Sequence, residues 1–168
     1  MNEILKIPFS AFNNNWNVLQ KFLERRGNPH YEITDNLDLS ESNIKSLGNL
    51  TSVGGNLILW YSEIESLGNL TSVGGELSLC GSFIKSLGKL TSVEGHLNLF
   101  GSKIKSLGNL TSVGGSLDLR KSKIEDLGNL TSVGGWLDLR NTLLSKKYSE
   151  KEIRSMVKIE RNIYLNTI

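Results

Sequence analysis

Side chains able to act as acids, bases or nucleophiles are few in this chain, and they do not converge. Two histidines, His30 and His96, and one cysteine, Cys80, stand apart from one another. There is no C-x-x-C pair, no H-E-x-x-H and no glycine-rich phosphate loop ending in Lys-Ser or Lys-Thr. The Gly-Gly pairs lack the aspartates that a calcium-binding glycine-rich coil requires. A thiol attacks only beside a base, and His96 falls at a different strand position from Cys80. The expectation is therefore a chain that is not an enzyme and holds neither cofactor nor metal. Recognition chemistry is plentiful instead. Ile58, Trp60, Tyr61, Phe83, Phe100 and Trp136 supply apolar and aromatic surface, and Lys103, Arg120, Lys121, Lys123 and Arg140 supply positive charge. Tryptophan and arginine are enriched where one protein grips another.

What positions these residues is an internal repeat. Five blocks of twenty residues begin at Asn36, Asn56, Glu76, His96 and Ser116, and a sixth begins at Trp136. They share x-L-x-L-x-x-S-x-I-x-x-L-G-x-L-T-S-V-x-G. Self-similarity at a fixed period marks a stacked solenoid. In the second block the recurring small or apolar positions are Leu57, Leu59, Ser62, Ile64, Leu67, Leu70 and Val73. The L-x-L spacing is a strand with both leucines on one face. The later apolar positions, every three residues, read as an irregular return arc, and Gly54-Gly55 and Gly68 as turns. One coil cannot offset its own ordering entropy, so stacked coils must share a core and pair their strands into a parallel sheet. Ser42, Ser62, Ser82, Ser102, Ser122 and Thr142 fall at the inward corner after each strand. There they are expected to form a structural hydroxyl ladder that satisfies backbone groups left unpaired by the bend.

The run Gly54-Gly55-Asn56-Leu57-Ile58-Leu59-Trp60-Tyr61-Ser62-Glu63-Ile64 resembles the leucine-rich-repeat family, L-x-x-L-x-L-x-x-N-x-L. Glycine replaces the leading leucine and serine the ladder asparagine. The pattern is most similar to compact bacterial and bacteriophage repeats of the form L-x-L-x-x-T-x-I-x-x-L-P, with Gly48, Gly68, Gly88, Gly108 and Gly128 in place of the proline. The resemblance covers residues 36–143. It implies a repeat solenoid with one parallel sheet of about seven short strands, irregular convex arcs, and a concave face that binds ligands.

The ends of a solenoid must be covered. Residues 1–35 are expected to form an N-terminal helical cap, with an amphipathic helix from Ser10 to Arg26, Ser10 as its N-cap, and Phe12, Trp16, Leu19, Phe22 and Leu23 on one face. Ile4 to Phe9 reads as an extended lead-in, and Ile33 takes the valine position of an incomplete coil. Residues 144–168 form the C-terminal cap, where Ser149-Glu150-Lys151-Glu152 is a capping box opening a helix striped by Ile153, Met156 and Val157. Ile159 to Leu165 matches Val53 to Leu59 in register, which predicts a final strand over 163–165. The whole chain is thus read as a single domain.

With 38% hydrophobic and 21% charged residues and a net charge of +2, the composition is that of an ordered globular chain and names no partner. The absence of a basic start with an apolar run, together with a lone cysteine, gives the expectation of a cytoplasmic, intracellular protein. Variation between coils is concentrated at the outward strand positions and the bend, whereas Thr-Ser recurs unchanged at 51–52, 71–72, 91–92, 111–112 and 131–132. The expected function is binding of a protein partner through the concave face, with Trp60, Tyr61, Phe83 and Phe100 as an aromatic cluster beside a basic patch. A self-assembling or virion-associated repeat protein, weakly oligomeric, is the alternative, and free drift of exposed positions is the bland reading. Nucleic-acid binding is less favoured, because Asp118 and Asp138 sit within the basic patch. An ice-binding threonine row is set aside because its residues are assigned to an irregular arc.

Overall fold

The computed structural model describes residues 4–166. The first three residues of the N-terminal cap and the last two of the C-terminal cap lie outside the described residues. The chain opens with β1 (Leu5–Ile7), a 3-10 turn (Phe9–Phe12), α1 (Trp16–Glu24) and β2 (Tyr31–Ile33). Each coil then contributes two short strands. These are β3 (Leu37–Asp38) and β4 (Leu50–Val53), β5 (Leu57–Ile58) and β6 (Ser72–Val73), and β7 (Leu77–Ser78) and β8 (Ser92–Val93). The later coils add β9 (Leu97–Asn98) and β10 (Ser112–Val113), β11 (Leu117–Asp118) and β12 (Ser132–Val133), then β13 (Leu137–Asp138). The chain closes with α2 (Leu144–Lys147), α3 (Glu150–Met156), β14 (Lys158–Ile159) and β15 (Ile163–Tyr164).

The molecule is a parallel β-solenoid. The L-x-L strands stack in register from β3 to β15, Leu57 on Leu37 and so on to Ile163 on Leu137, giving a seven-stranded parallel sheet. Their paired leucines point inward, from 0% exposed at Leu57 to 7% at Leu39. Each fully buried leucine contributes roughly 1.5–3 kcal/mol relative to exposure. The final strand expected behind the C-terminal helix is β15, and Ile159 pairs with Val133 as the matching register requires.

The return arc is not irregular. Its Thr-Ser-Val segments pair in parallel, and with β1, β2 and β14 they form a second sheet of eight strands. The constant coil length explains this. With twenty residues in every turn, Val53, Val73, Val93, Val113 and Val133 stack inward, and the N–H of Thr71 reaches the carbonyl of Thr51 at 2.8 Å. The same 2.8 Å bond repeats at Thr91, Thr111 and Thr131. Each of these threonine hydroxyls also donates to the carbonyl of the threonine one coil earlier, at 2.9–3.0 Å. The threonine row is therefore regular and does not lie on an irregular arc, and its hydroxyls are engaged by the backbone. The corners of the five full coils approach one another closely, and all but Glu94-Gly95 are Gly-Gly. A Cβ on Gly74 would lie 2.3 Å from the carbonyl oxygen of Gly54.

The N-terminal helix is shorter than its sequence suggests. Asn13 and Asn14 both adopt the left-handed conformation, at φ 54°, and break the segment into the 3-10 turn and α1. Asn15, not Ser10, caps α1, accepting from Val18 N–H at 3.1 Å. Ser10 instead donates its hydroxyl to the carboxylate of Asp35, which also accepts from the backbone N–H groups of Phe9 and Ser10. Burial raises the Asp35 pKa, but the bonds from Ser10 and Phe9 outweigh it and hold the group below its ordinary value. Leu19 and Leu23 of α1 are buried, with Phe12, Trp16 and Phe22 packed partly against the core. Burial pushes the Tyr31 hydroxyl up to about 12, opposed by its bond from Gln20. At the other end the Ser149–Glu152 capping box is formed, and Ile153 and Val157 are buried. Met156 is 47% exposed and does not join that stripe, because it ends the helix on the side away from the coils.

Candidate functional site: the outer face of the seven-stranded sheet

Alternation along each short strand turns Ile58, Asn98, Asp118 and Asp138 outward, followed two residues later by Trp60, Phe100, Arg120 and Arg140. The polar members of the first group do more than face solvent. Their Oδ1 atoms accept the backbone N–H two residues on: Asp38 from Ser40, Asn98 from Phe100, Asp118 from Arg120 and Asp138 from Arg140, all at 3.0–3.1 Å. These Asx turns close the strand in four coils, while coils two and three have Ile58 and Ser78 instead.

Next comes a residue in the left-handed conformation. It is Gly81 and Gly101 in coils three and four, at φ 67°, but Glu41, Tyr61, Lys121 and Asn141 elsewhere, at φ 51–61°. A side chain there is strained by roughly 1–2 kcal/mol. Phe83, Lys103 and Lys123 lie past this turn. They occupy the flank of the coil and not the sheet, so the candidate residues divide into a sheet group and a flank group.

The four aromatic side chains do not cluster. Among the described residues no ring-to-ring pair joins Trp60, Tyr61, Phe83 and Phe100. Coil three places Cys80 and Gly81 between them. Tyr61 lies over Gly81, where a Cβ would meet its ring at 2.6 Å. Lys103 sits over Phe83 at 5.1 Å, and Arg120 and Lys121 over Phe100 at 5.3 and 5.4 Å. These are cation–π distances. Trp60, Tyr61 and Phe83 remain 48%, 65% and 46% exposed.

The late coils carry a carboxylate–guanidinium ladder. Arg120 meets both carboxylate oxygens of Asp118, with its shortest bond at 2.6 Å, and Arg140 does the same with Asp138. Arg120 also approaches Asp138 at 3.7 Å, which links the coils. Asp118 and Asp138 are buried, 6% and 2% exposed, under the guanidinium groups. They are thus not simple surface ion pairs, and the bonds that Arg120 and Arg140 donate to Asp118 and Asp138 raise the arginine pKa values further. Cys80 nearby is held above its usual thiol pKa, first by burial and then by Asp118, with Arg120 opposing.

Trp136 stands just before its strand, half-buried, with its ring edge-on to Tyr164 at 6.2 Å. Arg140 lies over the same tyrosine at 5.4 Å. Tyr164 escaped sequence reasoning as a site residue, although the match of 159–165 to 53–59 sets it at the position of Ile58. Glu76, His96, Asn98, Arg120 and Trp136 border a shallow pocket of about 260 Å³. His96 is structural in part, since its Nδ1 accepts the N–H of Ser116 at 2.8 Å.

The corner hydroxyls do not bond from coil to coil. Ser42, Ser62, Ser82 and Thr142 donate to the carbonyl of the leucine three residues earlier in the same coil, at 2.6–2.8 Å. The short side chain reaches its own turn and not the next one. Ser102 and Ser122 have buried hydroxyls without a partner.

No helix among the described residues is long and apolar enough to cross a membrane. The class defined by fold and face is a parallel β-solenoid of twenty-residue coils whose two sheets differ in variability. Comparison of the chain with protein-family models, with curated proteins and with solved structures gave no match.

Proposed function

We propose that the chain is a non-enzymatic binding module of leucine-rich-repeat type, similar to bacterial and bacteriophage repeats, that recognises a protein partner. The face used is the outer side of the seven-stranded sheet with its adjoining turn. One observation carries this reading. Tyr61 holds an aromatic ring 65% exposed at φ 51°, where coils three and four have glycine. The strain is shared by Glu41, Lys121 and Asn141 at the same turn of other coils, but only coil two sets an exposed aromatic ring there. Trp60 beside it and Phe83 one coil on extend the exposed apolar surface. A lone cysteine without a disulfide suits a reducing compartment, and we place the module inside the cell.

The test is affinity capture from a lysate of the source cells, with wild type beside Trp60→Ser/Tyr61→Ser, each shown by circular dichroism to be folded. A partner retained by the wild type and lost by the variant is expected. Equal capture by both removes the reading. A second copy of the chain is the alternative partner. Light scattering decides it, since a mass of one chain at all concentrations excludes self-assembly.

A further inference from the structure

The flank of coils five and six carries a groove of about 520 Å³, bordered by Lys105, Ser122, Lys123, Glu125, Asn141 and Lys146 among others. We propose that this groove receives a run of carboxylates from an acidic segment of the partner protein, so that the inference rests on the function proposed above.

Charge is the first support. On the flank of the early coils every lysine is answered. Lys45 pairs with Glu63 at 2.7 Å and approaches Glu65 at 3.8 Å, and Lys85 reaches Glu65 at 4.0 Å. In the groove only Lys105 is answered, by Glu125 at 2.9 Å. Lys123 and Lys146 have no acidic partner among the described residues. Lys103 holds the position of Lys123 one coil earlier and also lacks an acidic partner, so like charges face each other on adjacent rungs. Stacked like charges oppose folding, and an anion laid across them removes that opposition.

The second support is independent of charge. Ser122 lines the groove and is 5% exposed, yet its hydroxyl has no partner. The equivalent residue of coil six, Thr142, donates to Leu139 at 2.6 Å, and Ser62 and Ser82 do the same in their own coils. Ser102, one coil earlier and outside the groove, is orphaned as well, so the feature belongs to both coils, and only at Ser122 is there a groove from which a ligand could bring an acceptor. The groove is thus bordered by ammonium groups and the Asn141 amide, with the Ser122 hydroxyl beneath its surface. The matching ligand presents several acceptors and negative charge, and the volume exceeds that of a single small ion. Carboxylates are favoured over phosphates because the guanidinium forks best suited to phosphate, Arg120 and Arg140, are already closed on Asp118 and Asp138. The free cations are lysines, which act as mobile point charges.

Fluorescence anisotropy of a labelled oligoglutamate peptide with the full chain tests the proposal. Binding is expected to weaken with salt and to fall roughly tenfold in Lys123→Ala/Lys146→Ala, with Lys45→Ala unchanged. Ser122→Ala should weaken the peptide about threefold while its Tm stays at or above that of wild type, since no bond within the protein is lost. A purely structural serine would lower Tm and leave the peptide alone. Absent binding, equal binding by the lysine variant, or tighter binding of a single-stranded oligonucleotide of equal charge overturns the proposal, the last by making the groove a phosphate surface. The two readings fail separately. A captured partner lost with Trp60→Ser/Tyr61→Ser but kept by Lys123→Ala/Lys146→Ala refutes the groove alone, whereas peptide binding with no captured protein refutes only the function.

Discussion

The two sheets are built from the same coils, yet one repeats its sequence almost without change and the other alters it at every rung. On the eight-stranded side, Thr-Ser-Val recurs in five coils. From Thr71 on, each threonine is tied through both N–H and hydroxyl to the coil before, and the following corner, Glu94 excepted, is a glycine whose Cβ would meet backbone. On the seven-stranded side the outward positions run Asp38, Ile58, Ser78, Asn98, Asp118 and Asp138, and only the inward leucines are constant. Constancy of the exposed threonines is therefore a consequence of close coil spacing. It does not show that drift has been absent, so the variable face cannot be called selected merely because Thr-Ser stayed fixed. The stronger sign is the exposed aromatic ring at Tyr61, since Glu41, Lys121 and Asn141 bear the same left-handed turn without one.

The contrast breaks most sharply at the glycine corner. Gly74→Ala sets a Cβ 2.3 Å from the Gly54 carbonyl, on backbone pinned by the 2.8 Å bond from Gly74 N–H to Val53. Overpacking against backbone of this kind should cost about 2 kcal/mol, less than a rigid clash would, because the same corner one coil on carries Glu94. Ile58→Ala on the other sheet should stay within about 1 kcal/mol, because Ile58 is only half-buried and outward. Urea denaturation of both variants measures the difference, and equal midpoints would end the distinction between the sheets.

Arg120→Ala gives the next largest effect, confined to the variable face. It leaves the buried Asp118 carboxylate with the backbone N–H of residue 120 as its remaining strong donor. The expected loss is about 1–2 kcal/mol, at the low end for a charged partner because the guanidinium is 39% exposed. Asp118→Asn/Arg120→Phe should recover most of it. Coil four already contains that pair as Asn98 and Phe100, with the same Asx bond at 3.0 Å. A double variant no more stable than Arg120→Ala would show that the arginine does more than cover the carboxylate.

Much of this architecture was legible in the twenty-residue period. The inward leucines, the final strand at Ile163 and the capping box at Ser149 follow from periodicity and register. The second sheet was not legible, because two-residue strands such as Ser72–Val73 carry no alternation of their own and exist only through the coil on either side. The break in the N-terminal helix turned on Asn13 and Asn14 entering the left-handed region, a choice made jointly with Asp35, some twenty residues further along the chain. The candidate recognition residues are picked out by type alone, which groups them too broadly. Phe83, Lys103 and Lys123 look like neighbours of Trp60 in the repeat, yet a left-handed turn redirects the chain before them. Ring packing depended on Gly81, whose lack of a side chain gives Tyr61 its seat.

The smallest effect is the one that sharpens the comparison furthest. At φ 51° a tyrosine is strained by roughly 1–2 kcal/mol, and glycine there relieves the strain at an unfolded-state cost of about 0.5–1 kcal/mol. Tyr61→Gly should therefore be as stable as wild type or more so by about 0.5 kcal/mol, even though it removes the ring that covers Gly81. Thermal unfolding reads the stability, and the capture assay reads the partner. Stability kept and binding lost would place the tyrosine in the molecule for its partner's sake, beside threonines that are there for the coil. Stability lost by more than about 1 kcal/mol would mean that the ring's contact with coil three holds the solenoid together, and Tyr61 would then belong with the glycine corners as part of the frame.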